Sequence, residues 1–185
     1  MRQLLRLRVP LGFLFAGWYL AVARPSSPRV FLVACVLVAT GCLLRSWAAG
    51  YILKGKRVAV GGPYAYVRNP LYVGSFIVGL GFCAALWRWP LPWPSLAMAL
   101  GFLLVFGVIY RAKAVAEEQE LALVLGDAYR AYAVQVPPFL PTRGRVIKGA
   151  QQRFSWELHR RNREYQCILG SFALLGVLFL RWKFA

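Results

Sequence analysis

Five apolar runs, at 9–23, 30–52, 71–88, 95–110 and 165–180, leave this chain few ways to fold. Each is about 15–23 residues long, close to the ~20 that a helix needs to cross the hydrocarbon core of a bilayer. Inside that core every backbone N–H and C=O must be bonded within the protein, so only helices and closed barrels span it. None of the runs alternates apolar and polar residues as a barrel strand does. The expectation is an all-α integral membrane bundle of about five transmembrane helices, organised as a single domain over residues 1–185.

The charge pattern orients that bundle. The chain carries 23 Lys and Arg against 6 Asp and Glu, a formal net charge of +17. Such a balance suggests nucleic acid in a soluble protein, but here the basic residues lie between apolar runs, where positive-inside topology puts them. No nucleic-acid partner is expected. With five spans, 17 of the basic residues fall on the side of the amino terminus, the 53–70 loop and the 111–164 segment; 5 fall on the other side and Arg45 lies within a run. The larger group belongs in the cytoplasm, in a cell membrane or, in a bacterium, the inner membrane. The first run has two readings. Arg2, Arg6 and Arg8 before a short apolar stretch ending Ala21-Val22-Ala23 also fit a cleaved secretory signal.

Cys35, Cys42, Cys83 and Cys167 all lie inside apolar runs without metal-ligand spacing, and the single His159 sits among arginines. They read as small buried hydrophobes, and no metal site is expected.

Proline and glycine punctuate the chain at 24–28, at 61–63 and at 89–94. Trp87, Trp89 and Trp93 around the last break suggest an interfacial aromatic belt. The fourth run continues beyond the membrane as a helix over 112–132, with Leu121, Val124, Leu125, Ala128 and Tyr132 as its apolar stripe. Glu117 and Glu118 flank that stripe, while Glu120, Asp127 and Arg130 point away from it. Gly126 is placed to break or cap this helix, and the prolines of 136–141 end it. The basic 142–163 segment suits a helix lying on anionic headgroups, and equally suits positive-inside charge with no ligand.

The polar chemistry is concentrated in two places. In 62–74, Gly61 and Gly62 permit close backbone approach, Pro63 and Pro70 fix the course of the chain, and Tyr64, Tyr66 and Tyr72 offer aromatic faces and hydroxyls. Pro70 suits the first turn of a helix with Asn69 as its N-cap. Arg68 then lies where a helix amino terminus already favours anions, and its guanidinium fork matches a carboxylate. Glu117 and Glu118 offer the opposite sign, as acceptors for hydroxyls or an ammonium. Singly, each residue has a plainer reading: a positive-inside arginine, interfacial tyrosines, glutamates paired along the helix with Arg111 or Lys113. Those readings leave unexplained why three of the six acids fall within 117–120.

The ordered set Gly62-Pro63-Tyr64-x-Tyr66-Val67-Arg68-Asn69-Pro70-x-Tyr72-x-Gly74, Gly79-Leu80-Gly81, Glu117-Glu118-x-x-Leu121, Gly126, Tyr129, Tyr132 and Val136-Pro137 resembles the isoprenylcysteine carboxyl methyltransferase and phospholipid methyltransferase superfamily. The resemblance runs from about residue 41 to 141; the basic segment and last run, 142–185, lie outside it. It implies an integral membrane enzyme that transfers methyl from S-adenosyl-L-methionine, at the cytoplasmic face, to a lipophilic acceptor by carboxyl O-methylation or amine N-methylation. Carried over position by position, Tyr64, Tyr66, Arg68, Asn69, Pro70, Tyr72, Gly79, Gly81, Glu117 and Glu118 would line the cofactor site. Arg68 would anchor the carboxylate, Glu117 and Glu118 would accept from ribose or amino groups, and catalysis would depend most on Arg68 and Glu118. The family usually has histidine where this chain has Asn69, which does not titrate near neutral pH, so a histidine base there is excluded. Two alternatives remain at this level. One is a membrane reductase of the sterol-reductase type using a nicotinamide cofactor; the other is a non-catalytic scaffold. The Glu117-Glu118 pair argues against the first, since nicotinamide phosphates call for basic residues.

Overall fold

A computed structural model describes residues 19, 23, 25–53, 57–87, 93–141 and 152–184. Of the first apolar run only Tyr19 and Ala23 are described, so the span or signal expected at 9–23 lies outside the described residues, as do Trp89 and 142–151. The described residues form five α-helices and no strand: α1 (Pro28–Ala49), α2 (Pro70–Ala85), α3 (Trp93–Gln135), α4 (Trp156–Arg161) and α5 (Tyr165–Phe184). A 3-10 turn, Gly62–Ala65, precedes α2.

Three of the helices (α1, α3 from Ser95, and α5) are long and apolar enough to cross a membrane, and α2 is a shorter apolar helix. At 1.5 Å per residue the 16 residues of α2 extend about 24 Å, short of a ~30 Å hydrocarbon core. Large apolar side chains of α3, among them Leu104 and Val108, are exposed, as lipid-facing residues are. The architecture is the helical membrane bundle that the apolar runs imply.

Helices α1 and α2 form the closest pair, through small residues. A methyl added to Gly41 would come 2.6 Å from the Gly74 carbonyl oxygen, and one on Gly81 would come 2.7 Å from Val38 Cγ2. Glycine at both contacts lets the backbones approach, the usual device of membrane helix packing. Each helix starts where sequence rules place it. Ser27 caps α1 by accepting from the Val30 N–H at 3.3 Å, and Pro28 and Pro70 occupy first-turn positions that need no N–H donor.

The 43 residues of α3 would measure about 65 Å if continuous, twice what a bilayer core accommodates, so its later part projects from the membrane. Gly126 breaks it, at φ 55° and ψ −133°. The break resets the helical phase. Beyond the break Ala128, expected in the apolar stripe, is exposed, and Tyr129 is buried with Tyr132 and Val136 against Val58, Val60 and Leu125; Val124, before the break, is exposed as well.

Candidate functional site

The loop before α2 is moored to the end of α3 by backbone as well as side chains. The Arg68 and Asn69 N–H groups donate to the Pro137 and Pro138 carbonyls at 2.8 and 3.1 Å. The Tyr132 hydroxyl donates to the buried Tyr64 carbonyl at 2.8 Å. Arg68 places one guanidinium nitrogen 3.2 Å from the Ala133 carbonyl and another 3.3 Å from Glu118 Oε2. Asn69 is the N-cap of α2 by position, but its side chain does not cap the helix; it donates to Glu118 Oε1 at 3.1 Å. The two motifs, about fifty residues apart, therefore meet through one carboxylate.

Beside this junction opens a cavity of about 510 Å³, within the range of small-molecule sites. Tyr64, Arg68, Asn69, Pro70 and Tyr72 line it from one side and Glu117, Glu120 and Leu121 from the other. Its wall holds two orphaned polar atoms: the Tyr64 hydroxyl and Arg68 Nε are buried with no hydrogen-bond partner among the described residues. Buried donors normally find partners, so two in one cavity wall fit a polar ligand there. Burial raises the Tyr64 and Tyr132 phenols well above their ordinary value. It pushes Tyr129 up to about 12, helped by the Glu118 carboxylate and opposed by Arg68. These phenols are neutral donors at physiological pH, not bases.

Other residues of the sequence-level set lie elsewhere. Tyr66 is 44% exposed and does not line the cavity. Gly79 and Gly81 face neighbouring helices: the space of a Gly79 side chain is filled by the Phe102 ring, and that of Gly81 by Val38. Glu118 lies behind the wall, holding Arg68 and Asn69, whereas Glu117 lines the cavity and pairs with Lys113 at 3.6 Å. Glu120, expected to point away, is exposed yet lines the cavity, because the cavity opens to solvent on that side of α3.

Sequence reasoning assigned no role to Arg45, Ser75, Tyr110 or Glu164, all of which line the cavity, and gave Lys113, which lines it too, only the helix pairing with a glutamate that it makes. Lys113 Nζ lies 5.5 Å over the Tyr72 ring, and Tyr72 meets Tyr110 edge-on at 5.1 Å. Arg45 was legible as a charge stranded in an apolar run. Glu164 carried no comparable signal; it comes from the carboxy-terminal segment, which also bonds to the backbone between residues 49 and 61. Gln152 Oε1 accepts from the Val60 and Gly61 N–H groups, and Asn162 donates to the Ala49 and Ile52 carbonyls at 2.9 and 3.1 Å.

A helical membrane protein with a polar, aromatic-walled cavity where a loop meets a projecting helix is the class that this fold and site define. In sequence, the chain is 32% identical over 131 residues to a Protein-S-isoprenylcysteine O-methyltransferase of Schizosaccharomyces pombe, an alignment covering 71% of this chain and 48% of that protein. The chain thus spans about half the length of the curated relative it matches. No family model matches it, and no solved structure does. The alignment supports a likeness to the isoprenylcysteine carboxyl methyltransferase-like family.

Proposed function

We propose that this protein transfers a methyl group from S-adenosyl-L-methionine to a lipophilic, membrane-borne acceptor, by carboxyl O-methylation or amine N-methylation, with its site at the cytoplasmic face. The observation that carries the reading is the convergence of the 64–72 loop and the glutamate-bearing part of α3 on one cavity whose wall contains the unpartnered Arg68 Nε and Tyr64 hydroxyl. The cofactor is cationic at sulfur and zwitterionic at its amino-acid end, and its chemical contribution is a methyl already activated toward displacement. What is left for the protein is to bind, orient and exclude water.

Arg68 Nε and the Tyr64 hydroxyl are the donors for the cofactor carboxylate. Glu118 acts through Arg68 and Asn69 as a positioning residue, a narrower role than the acceptor suggested by sequence. Glu117 and Glu120 accept from ribose hydroxyls or the ammonium. The faces of Tyr72 and Tyr110 offer a quadrupole that favours positive charge. Leu121, Leu125 and Ile52 give the cavity an apolar wall that excludes water. A carboxylate acceptor needs no general base, which agrees with a site whose tyrosines stay protonated.

The test is calorimetric titration of detergent-purified protein with S-adenosylhomocysteine, comparing wild type with Arg68→Ala and Glu118→Gln. Micromolar binding by wild type, weakened at least ~tenfold by each substitution, is the expected result. A screen of prenylated and phospholipid acceptors with labelled methyl donor then identifies the substrate. Absence of binding by folded wild-type protein would overturn the reading and bring the nicotinamide-dependent reductase forward.

A further inference from the structure

Arg45 and Glu164 lie 119 residues apart in the chain and meet in the cavity wall. Arg45 Nε and one terminal nitrogen both donate to Glu164 Oε2, at 3.0 and 2.7 Å. The other terminal nitrogen donates to the Leu71 carbonyl at 3.0 Å and to the Ser75 hydroxyl. The side chains are only 18% and 12% exposed. Ser75 lies five residues into α2, so the pair sits about 7.5 Å deeper along that helix than the loop carrying Arg68.

Taking two charges out of water costs several kcal/mol per ion, and apolar side chains of like volume often replace such a pair without loss of stability. Charges at membrane depth usually serve a site. Here the site is the cavity itself, which opens to solvent beside Glu120 and is also lined by Arg57, Arg68, Lys113 and Glu117, and the Arg45 end of it is the less exposed one. A bare Arg45 would oppose a cationic ligand held there.

Resting on the function proposed above, we infer that Glu164 is a specificity-determining counter-charge: by cancelling Arg45 it allows the cavity to hold a sulfonium ligand as readily as the neutral thioether that lacks its methyl. The carboxy-terminal segment, outside the motif-bearing part of the chain, thereby contributes to ligand choice.

S-Adenosylmethionine and S-adenosylhomocysteine differ by one methyl and one positive charge, so the ratio of their dissociation constants reads the charge balance of the cavity and is insensitive to loosening that weakens both alike. Glu164→Gln leaves Arg45 unpaired and should raise the sulfonium-to-thioether Kd ratio about tenfold, equivalent to ~1.4 kcal/mol. Arg45→Gln leaves Glu164 unpaired and should move the ratio the opposite way. The double substitution, which removes both charges, should return it to the wild-type value, and Glu164→Asp should preserve it. Should either single variant fail to fold, the remaining single variant and the double variant still give the sign. A ratio unchanged in every folded variant, with both ligands weakened equally, would reduce the pair to a structural tie and overturn the inference alone. Failure of wild-type protein to bind either ligand would overturn it together with the reading it rests on.

Discussion

Replacing Glu118 with glutamine tests whether one carboxylate joins the two motifs. The carboxylate pairs with Arg68 at 3.3 Å and accepts from Asn69 at 3.1 Å. Glutamine retains a carbonyl for Asn69 but turns an N–H₂ donor toward the guanidinium, so the charged contact is lost and a donor faces a donor. The magnitude follows from exposure. Solvent-exposed pairs contribute ~0.2–1 kcal/mol, and breaking a buried one costs ~3–5 kcal/mol. With side chains 16% and 23% exposed, this pair falls between, at about 2 kcal/mol. For a protein of this size that corresponds to a fall in Tm of about 4–8 °C. The loop remains moored by its backbone bonds to Pro137 and Pro138, so the variant should fold. Thermal unfolding in detergent of wild type, Glu118→Gln, Arg68→Met and the double variant gives the coupling directly. A coupling near 2 kcal/mol is expected; a value within the ~0.3–0.5 kcal/mol of simple additivity would refute the pairing as the link between the motifs.

Tyr132→Phe removes the donor to the buried Tyr64 carbonyl and leaves that oxygen unsatisfied, so it should cost about 1–3 kcal/mol and weaken S-adenosylhomocysteine binding, both measurable on one sample by unfolding and calorimetry. An unchanged Tm would show the bond to be dispensable. The raised phenols make a pH prediction: Tyr129, at about 12 in the fold against 10.0 ordinarily, keeps its proton longer when folded. Its contribution is therefore complete below pH 10 and is lost as pH climbs through about 12, and Tyr129→Phe should flatten the fall in Tm over that window. Gly81→Leu should separate α1 from α2 and lower Tm sharply, because its Cβ alone would come 2.7 Å from Val38 Cγ2; Gly170→Leu, in open space, is the control.

The bundle was legible because membrane helices must satisfy their own backbone groups and so advertise themselves as long apolar runs. Pro70 as a helix start and Gly126 as a break were legible for similarly local reasons, whereas a shared site for the arginine and glutamate motifs was expected from the family resemblance, and their direct pairing was not foreseen. Which of two adjacent glutamates faces the cavity was not, since a rotation of ~100° separates them and tertiary packing sets the phase of α3. Asn69 was expected to cap α2 by accepting through its side-chain oxygen, but no such bond forms, and its amide N–H₂ is instead committed as a donor to the Glu118 carboxylate. Gly79 and Gly81 look alike in a motif whether they approach a ligand or a helix. Of the Arg45–Glu164 pair only Arg45 was legible, as a charge within an apolar run; its partner was not, because it lies 119 residues further along the chain.

That separation bears on how the protein is made. At about 5–20 residues per second, some 6–24 s of synthesis pass between the appearance of Arg45 and that of Glu164. Throughout that interval a guanidinium waits at the membrane without its carboxylate. The Leu71 carbonyl and Ser75 hydroxyl, emerging only 26 and 30 residues after it, are the partners that can hold it in place until the last helix arrives.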